Sequence, residues 1–68
     1  MHNSRSIKPY LGKLVLLKFQ DRELRNLEVV SRILDAGKFM ILIDVNDENE
    51  YLSILYKDIK GIEKPKKK

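Results

Sequence analysis

The sequence predicts a small all-β protein, folded as one five-stranded, strongly bent barrel. The clearest indication is the apolar run at residues 39–44, which lies between two charged loops and precedes two shorter strand-like runs. Turn signals recur at the short spacing that is typical of β-barrels and β-sandwiches. Because the chain has only 68 residues, its strands must curl in order to bury both faces of a sheet.

The N-terminal part predicts at most a short helical turn before the first strand. Residues 1–8 are polar and poorly patterned, so we expect a flexible segment there. Pro9 suits the first turn of a helix and Gly12 suits its end, which predicts one helical turn. Residues 13–19 are rich in apolar side chains and predict a strand that is buried on both faces.

The second strand is predicted at residues 24–34, a segment whose pattern is ambiguous. Its apolar residues alternate as in a strand, while Leu27, Val30 and Leu34 also fit one stripe of a helix. The β-branched content favours a strand, and residues 35–38 suit a hairpin loop. We therefore expect a strand.

The remaining strands are predicted at residues 39–45, 51–56 and 59–62, with an acidic turn at residues 46–50. A turn this short leaves no room for a helix between the third and fourth strands, where an OB-type barrel carries one. This favours an SH3-like meander. The barrel domain is expected to span residues 9–63, and a basic tail follows.

The charge of the chain favours a polyanionic partner. Lys and Arg number 14 against 10 Asp and Glu, so the formal net charge is +4. Several basic residues near the two ends of the chain are candidates for phosphate contacts that do not depend on the nucleotide sequence. The alternative is that these residues are only solvated and bind nothing. These residues are Arg5, Lys8, Lys64, Lys66, Lys67 and Lys68.

Enzyme chemistry and metal binding find little support in this sequence. There is no Cys, and His2 has neither a second His nor another evident ligand beside it. The three Gly residues are too scattered for a phosphate loop, and the acidic turn lacks the spacing of a calcium loop. We expect a non-catalytic protein without a cofactor or metal.

The chain also lacks the features of a membrane or secreted protein. No apolar run approaches the roughly 18 residues of a membrane helix, and the N-terminus lacks the apolar core of a signal peptide. The absence of Cys fits a reducing compartment. We therefore expect a cytoplasmic protein with no membrane partner.

Three segments of the chain occur in the same order as the secondary-structure elements of a known protein family. Residues 10–19 look like the end of an N-terminal helix running into a first strand, and residues 22–27 look like the turn into a bent second strand. Residues 51–62 look like two strands around a tight loop. Together they resemble the Sm-like superfamily of Sm, Lsm and Hfq proteins. Met40 lies near the position of the Asn with which many members recognise a base, so the resemblance bears chiefly on the fold.

The resemblance implies a ring of six or seven identical subunits that binds single-stranded RNA. Its subunits would pair the fourth strand of one copy with the fifth strand of the next. Such pairing would also add the apolar burial that a small core lacks, since a domain of this size buries only about 60% of its unfolded surface.

Two short pairs of residues are candidates for the RNA site. Lys38 and Phe39 join a cation to an aromatic ring in a predicted loop, a combination that holds a phosphate and stacks a base. Tyr56 and Lys57 are similar to a Tyr-Lys pair that opens a loop in the family. Alternatively, each aromatic ring packs in the hydrophobic core, because Phe39 and Tyr56 are in phase with apolar faces.

Two other function classes remain open. An SH3-like protein-interaction subunit would be a monomer or dimer whose charge has no role in binding nucleic acid. A small barrel that binds duplex DNA through an exposed sheet face is the third alternative.

Overall fold

In the computed structural model, which describes residues 2–65, a short helical segment precedes a five-stranded antiparallel sheet. A 3-10 helix, η2 (Tyr56–Asp58), links the last two strands. The prediction of a small all-β fold with at most a short N-terminal helical turn is confirmed. The strands are β1 (Leu14–Gln20), β2 (Asn26–Ala36), β3 (Met40–Val45), β4 (Glu50–Leu55) and β5 (Ile59–Glu63).

The helical segment consists of α1 (Ser4–Ile7) and the 3-10 helix η1 (Lys8–Tyr10). Asn3 and Ser6 form a reciprocal cap, in which the Ser6 amide donates to Asn3 Oδ1 at 3.1 Å and the Asn3 amide donates to Ser6 Oγ at 2.9 Å. The side chain of Ile7 is fully buried in the core. The helix therefore begins within the segment that the sequence predicts to be flexible, because Ile7 anchors it.

The long strand β2 organises the sheet, whose order is β4-β3-β2-β1-β5. Ser31, near its centre, pairs with Val15 of β1 on one side and with Val45 of β3 on the other. The register shifts between Ile33 and Asp35, which indicates a bulge. Because a bulge bends its strand, β2 can pair with both β1 and β3 although these two strands differ in orientation. This order leaves β4 and β5 as the two edges of the sheet.

The sheet curls around one apolar core to which every strand contributes. Phe19 of β1 and Ile54 of β4 line the same cavity, although β2 and β3 separate their strands in the sheet order. A flat sheet would keep these two residues apart. The buried apolar residues are Ile7, Val15, Leu17, Phe19, Ile33, Ile41, Ile43, Ile54, Tyr56 and Ile59.

The turn between β1 and β2 explains why β2 starts later than the sequence predicts. Asp21 Oδ1 accepts hydrogen bonds from the amides of Glu23 and Arg25, each at 2.9 Å. Leu24 has a positive φ of 64° and a side chain that is 73% exposed. Five residues are thus held in the turn before β2 begins, and a left-handed Leu is difficult to anticipate from sequence.

Arg32 ties three parts of the chain together on the outer face of the sheet. Its Nε and Nη2 donate to the two carboxylate oxygens of Asp47, each at 3.0 Å, and its Nη1 donates to the Gly12 carbonyl at 2.8 Å. This hydrogen-bonded pairing raises the pKa of Arg32 and lowers the pKa of Asp47. The turn between β3 and β4 is therefore fixed to the start of the barrel.

Candidate functional site

The candidate site is built where the loop between β2 and β3 lies against η2. Tyr56 joins them through two hydrogen bonds, since its amide donates to the Phe39 carbonyl at 3.1 Å and its hydroxyl donates to the Gly37 carbonyl at 2.6 Å. The Gly37 amide in turn donates to the Met40 carbonyl at 2.8 Å, which closes the loop. Residues 37–39 are therefore held beside η2.

Tyr56 itself belongs to the core, the second of the two roles left open by the sequence. Its side chain is only 6% exposed, and it packs in the core cluster. Burial raises the pKa of the Tyr56 hydroxyl, and the nearby Asp35 carboxylate raises it further. A ring this covered offers no face to a base. Tyr56 is thus a positioning residue in this site.

Phe39 lies on the surface, contrary to the core alternative that its phase suggests. It is 67% exposed, although it is in phase with the buried Ile41 and Ile43. The reason is that β3 begins only at Met40, so the Phe39 ring extends past the end of the packed sheet. The Nζ of Lys38 lies 5.5 Å from the centroid of this ring, within the range of a cation–π contact.

Lys57 and Asp58 directly follow Tyr56, whose amide donates to the Phe39 carbonyl. Both lie within η2, and Lys57 is exposed while Asp58 is half-buried. Three of the four residues predicted for RNA binding, Lys38, Phe39 and Lys57, therefore lie on exposed segments that Tyr56 joins. We call Lys38, Phe39, Lys57 and Asp58 the loop site.

The basic residues predicted for phosphate contacts are spread along the chain. Arg5 lies in α1 and Lys8 in η1, and both are exposed. Lys64 is exposed just after β5. The predictions for Lys66, Lys67 and Lys68 fall outside the described residues.

Sequence reasoning missed three contributors to the loop site. Gly37 supplies the carbonyl that Tyr56 binds, and a Cβ at this position would lie 3.1 Å from the Met40 carbonyl oxygen. Asp35 influences Tyr56 electrostatically. Asp58 places a carboxylate next to Lys57. The loop glycine was a usable signal for the tight turn, whereas the two carboxylates act only through proximity in the fold.

The acidic turn is largely engaged in structural contacts. Asp47 binds Arg32, and Asp44 Oδ1 accepts a hydrogen bond from the Glu50 amide at 3.0 Å. Asn46, Asp47 and Asn49 adopt positive φ values, a conformation that Asn and Asp tolerate well. Within residues 2–65, no group of three or more His, Cys, Asp or Glu side chains is placed to hold a metal ion.

A cavity of about 380 Å³ opens between the β1–β2 turn and strand β4. Four apolar side chains from three strands line it, together with polar residues at positions 20–23 and 53. Since β4 is an edge of the sheet, this cavity lies beside a strand whose outer side is available for pairing. The apolar residues are Phe19, Leu27, Leu52 and Ile54.

The outer face of the sheet also carries exposed apolar side chains. Leu42 and Met40 of β3 are 37% and 42% exposed, and Tyr51 of β4 is 61% exposed. Leu42 is paired with Ser53, and Asp44 is paired with Tyr51, so the outward side chains of the two strands are neighbours. This outer apolar patch is a second surface that could contact another protein.

No helix within the described part of the chain is long and apolar enough to cross a membrane. Comparisons with protein-family models, with curated proteins and with solved structures found no match for this chain.

Proposed function

We propose that this protein is a non-catalytic, Sm-like RNA-binding protein that holds single-stranded RNA at the loop site. The observation that carries the proposal is the exposed ring of Phe39, with the Lys38 ammonium 5.5 Å from its centroid and Lys57 in the adjoining η2. Exposed aromatic rings beside cations are the parts with which proteins bind single strands, because each base has a face that stacks and each nucleotide has a charge.

The two kinds of contact contribute differently to binding. Stacking of one base on the Phe39 ring is worth about 1 to 3 kcal/mol and tolerates any base. Lys38 and Lys57 attract the phosphates, which makes binding weaker as the salt concentration rises. Tyr56 supplies the rigidity, since its two hydrogen bonds fix the loop before RNA arrives. A loop that is already ordered loses less entropy on binding.

The proposal includes assembly of six or seven copies into a ring, by pairing of β4 with β5 of the next copy. Support comes from the sheet order, which puts these two strands at the edges. The β4 edge carries Tyr51 and Leu52, which are 61% and 42% exposed, and it begins with a single charge at Glu50. Apolar, weakly charged edges favour pairing with another strand.

The resemblance of residues 9–63 to Sm-like proteins supports the same arrangement. A ring would repeat the loop site once per subunit, so that several weak contacts act on one RNA strand. Such multivalency raises the apparent affinity without any new contact.

The decisive experiment is a titration of fluorescein-labelled U12 and A12 RNA, followed by anisotropy at 50 mM and 200 mM KCl. We expect saturable binding that weakens with salt. Phe39→Ala should weaken it by roughly tenfold, which corresponds to about 1.4 kcal/mol and lies within the range for loss of one stacked base.

Leu24→Ala is the matched control, because Leu24 is also a large exposed apolar residue, 73% exposed, and lies in the turn between β1 and β2. It should bind RNA like the natural chain. Absence of salt-sensitive binding to either RNA would refute the proposed function, and equal losses in both variants would refute the role of Phe39.

A second candidate function is a protein-interaction subunit, which the outer apolar patch favours. In that case the chain would be a monomer or dimer, and Lys38→Ala and Lys57→Ala would leave partner binding intact. Duplex DNA added as a competitor in the same titration tests the third alternative. Displacement of U12 by an equal concentration of duplex would favour DNA as the ligand.

A further inference from the structure

We propose that the loop site prefers guanine over uracil because Asp58 accepts hydrogen bonds from the Watson–Crick edge of the stacked base. This inference rests on the proposed function and adds a base preference to it. It starts from the one acidic side chain of the loop site. A carboxylate among cations that bind phosphate would only weaken RNA binding, unless it makes a favourable contact of its own.

The backbone places Asp58 close to Phe39. The Tyr56 amide donates to the Phe39 carbonyl at 3.1 Å, and Asp58 follows Tyr56 by two residues in η2. Since a 3-10 helix rises about 2 Å per residue, Asp58 lies within one helical turn of that hydrogen bond. The backbone of Asp58 is therefore near the backbone of Phe39, which carries the exposed ring.

The Asp58 carboxylate is also available for a ligand. Within residues 2–65 its side chain has no ion-pair or hydrogen-bond partner, although it is half-buried. By contrast, the carboxylate of Asp47 is paired with Arg32 and that of Asp21 is paired with Arg25. Within the described part of the chain, the two oxygens of Asp58 are therefore acceptors that no other side chain occupies.

A carboxylate accepts hydrogen bonds and donates none, so it discriminates among the four bases. Guanine presents two adjacent donors, N1–H and the N2 amino group, which match the two oxygens of a carboxylate. Uracil presents one N–H between two carbonyl oxygens, and these oxygens repel the carboxylate. Adenine and cytosine each pair an amino donor with a ring-nitrogen acceptor, so only one carboxylate oxygen is satisfied. The expected order is guanine first and uracil last.

The test compares four labelled dodecamers by anisotropy: U12, (GU)6, (AU)6 and (CU)6. Alternating sequences avoid the runs of guanine that self-associate. We expect (GU)6 to bind about tenfold more tightly than U12, within the range for one bidentate contact to a base. The (AU)6 repeat measures the effect of replacing uracil by a purine that stacks well but lacks the paired donors. Its affinity should lie between those of (GU)6 and U12.

Asp58→Asn replaces the carboxylate by an amide of the same shape, which both donates and accepts. In this variant the ratio of the (GU)6 and U12 affinities should fall to about one. Glu48→Gln is the matched control, because Glu48 is an exposed carboxylate in the acidic turn, and it should leave the ratio unchanged.

The outcomes separate the two proposals. Equal affinities for (GU)6 and U12 in the natural chain, both reduced by Phe39→Ala, would overturn the guanine preference and leave RNA binding in place. A preference that survives Asp58→Asn would also overturn it, since stacking would then be the cause. Absence of binding to all four RNAs would overturn the proposed function together with this inference.

Discussion

Tyr56→Phe should damage the loop site without touching any residue that contacts RNA in our proposal. The substitution removes only the hydroxyl, which donates to the Gly37 carbonyl at 2.6 Å, and keeps the buried ring. Such a hydrogen bond contributes about 0.5 to 1.5 kcal/mol to the free energy of unfolding. Gly37 is exposed, so water can replace the lost donor, and we expect a loss of about 1 kcal/mol.

Thermal unfolding followed by circular dichroism checks this magnitude. A loss of about 1 kcal/mol lowers Tm by roughly 4 to 8 °C in a domain of this size. Affinity for U12 should fall as well, because residues 37–39 lose one of their two bonds to Tyr56. Tyr51→Phe is the matched control, since the Tyr51 hydroxyl donates to the exposed Asn49 Oδ1 at 3.3 Å, a longer bond between two surface side chains. It should change neither quantity.

The same variant has a pH signature. Burial raises the pKa of Tyr56 above its ordinary value of 10.0 in the folded chain. A raised pKa means that the neutral hydroxyl stabilises the fold below pH 10 and that this stability is lost as the pH rises further. The natural chain should therefore lose more stability than Tyr56→Phe above pH 10. Identical Tm values, identical U12 affinities and parallel pH profiles would refute the positioning role of Tyr56.

Three further predictions concern the core, the acidic turn and the tail. Ile43→Ala should lower the free energy of unfolding by about 2 to 5 kcal/mol in urea titrations, because Ile43 is fully buried; a smaller loss would contradict its place in the core. Asp47 has a lowered pKa because Arg32 binds its carboxylate, so it stabilises the fold above pH 3.8 and this stability is lost as the pH falls below that value. The Asp47→Asn variant should therefore be less stable than the natural chain at pH 7 and lose less stability on acidification. An unchanged dependence of stability on acidic pH would contradict the stabilising pair between Asp47 and Arg32. Removal of residues 64–68 should reduce the slope of log RNA affinity against log salt concentration by up to about 3. An unchanged slope would indicate that these residues do not contact the phosphates.

The strands were predictable because their signal is local. Alternation of apolar residues and the β-branched content of residues 24–34 correctly favoured a strand over a helix, and β2 (Asn26–Ala36) confirms it. Its start was predicted two residues early, because the turn held by Asp21 contains a left-handed Leu24 in place of a Gly. The sequence carries no simple mark for such a turn.

The helix α1 was missed for a similar reason. Its cap pairs Asn3 with Ser6, whereas the usual sequence signature ends in Glu or Gln. Its one buried residue, Ile7, stands alone among polar neighbours and gives no periodic pattern.

The candidate site was predictable only in part. Phe39 and Tyr56 are both aromatic and both in phase with apolar faces, yet one is 67% exposed and the other is 6% exposed. The difference depends on where the pairing of β3 with β4 ends, which is a property of the whole sheet. Residue type and phase can suggest that both rings matter, but only the fold distinguishes the ring on the surface from the ring that holds the loop.

The mass of the intact assembly tests the account most directly. Native mass spectrometry of the protein with U12 RNA would report the number of subunits and the bound RNA in one spectrum. We predict a complex of six or seven copies of the 8.0 kDa chain that carries RNA, with the RNA-bound fraction reduced in Phe39→Ala. A single 8.0 kDa chain without RNA under the same conditions would contradict both the assembly and the binding.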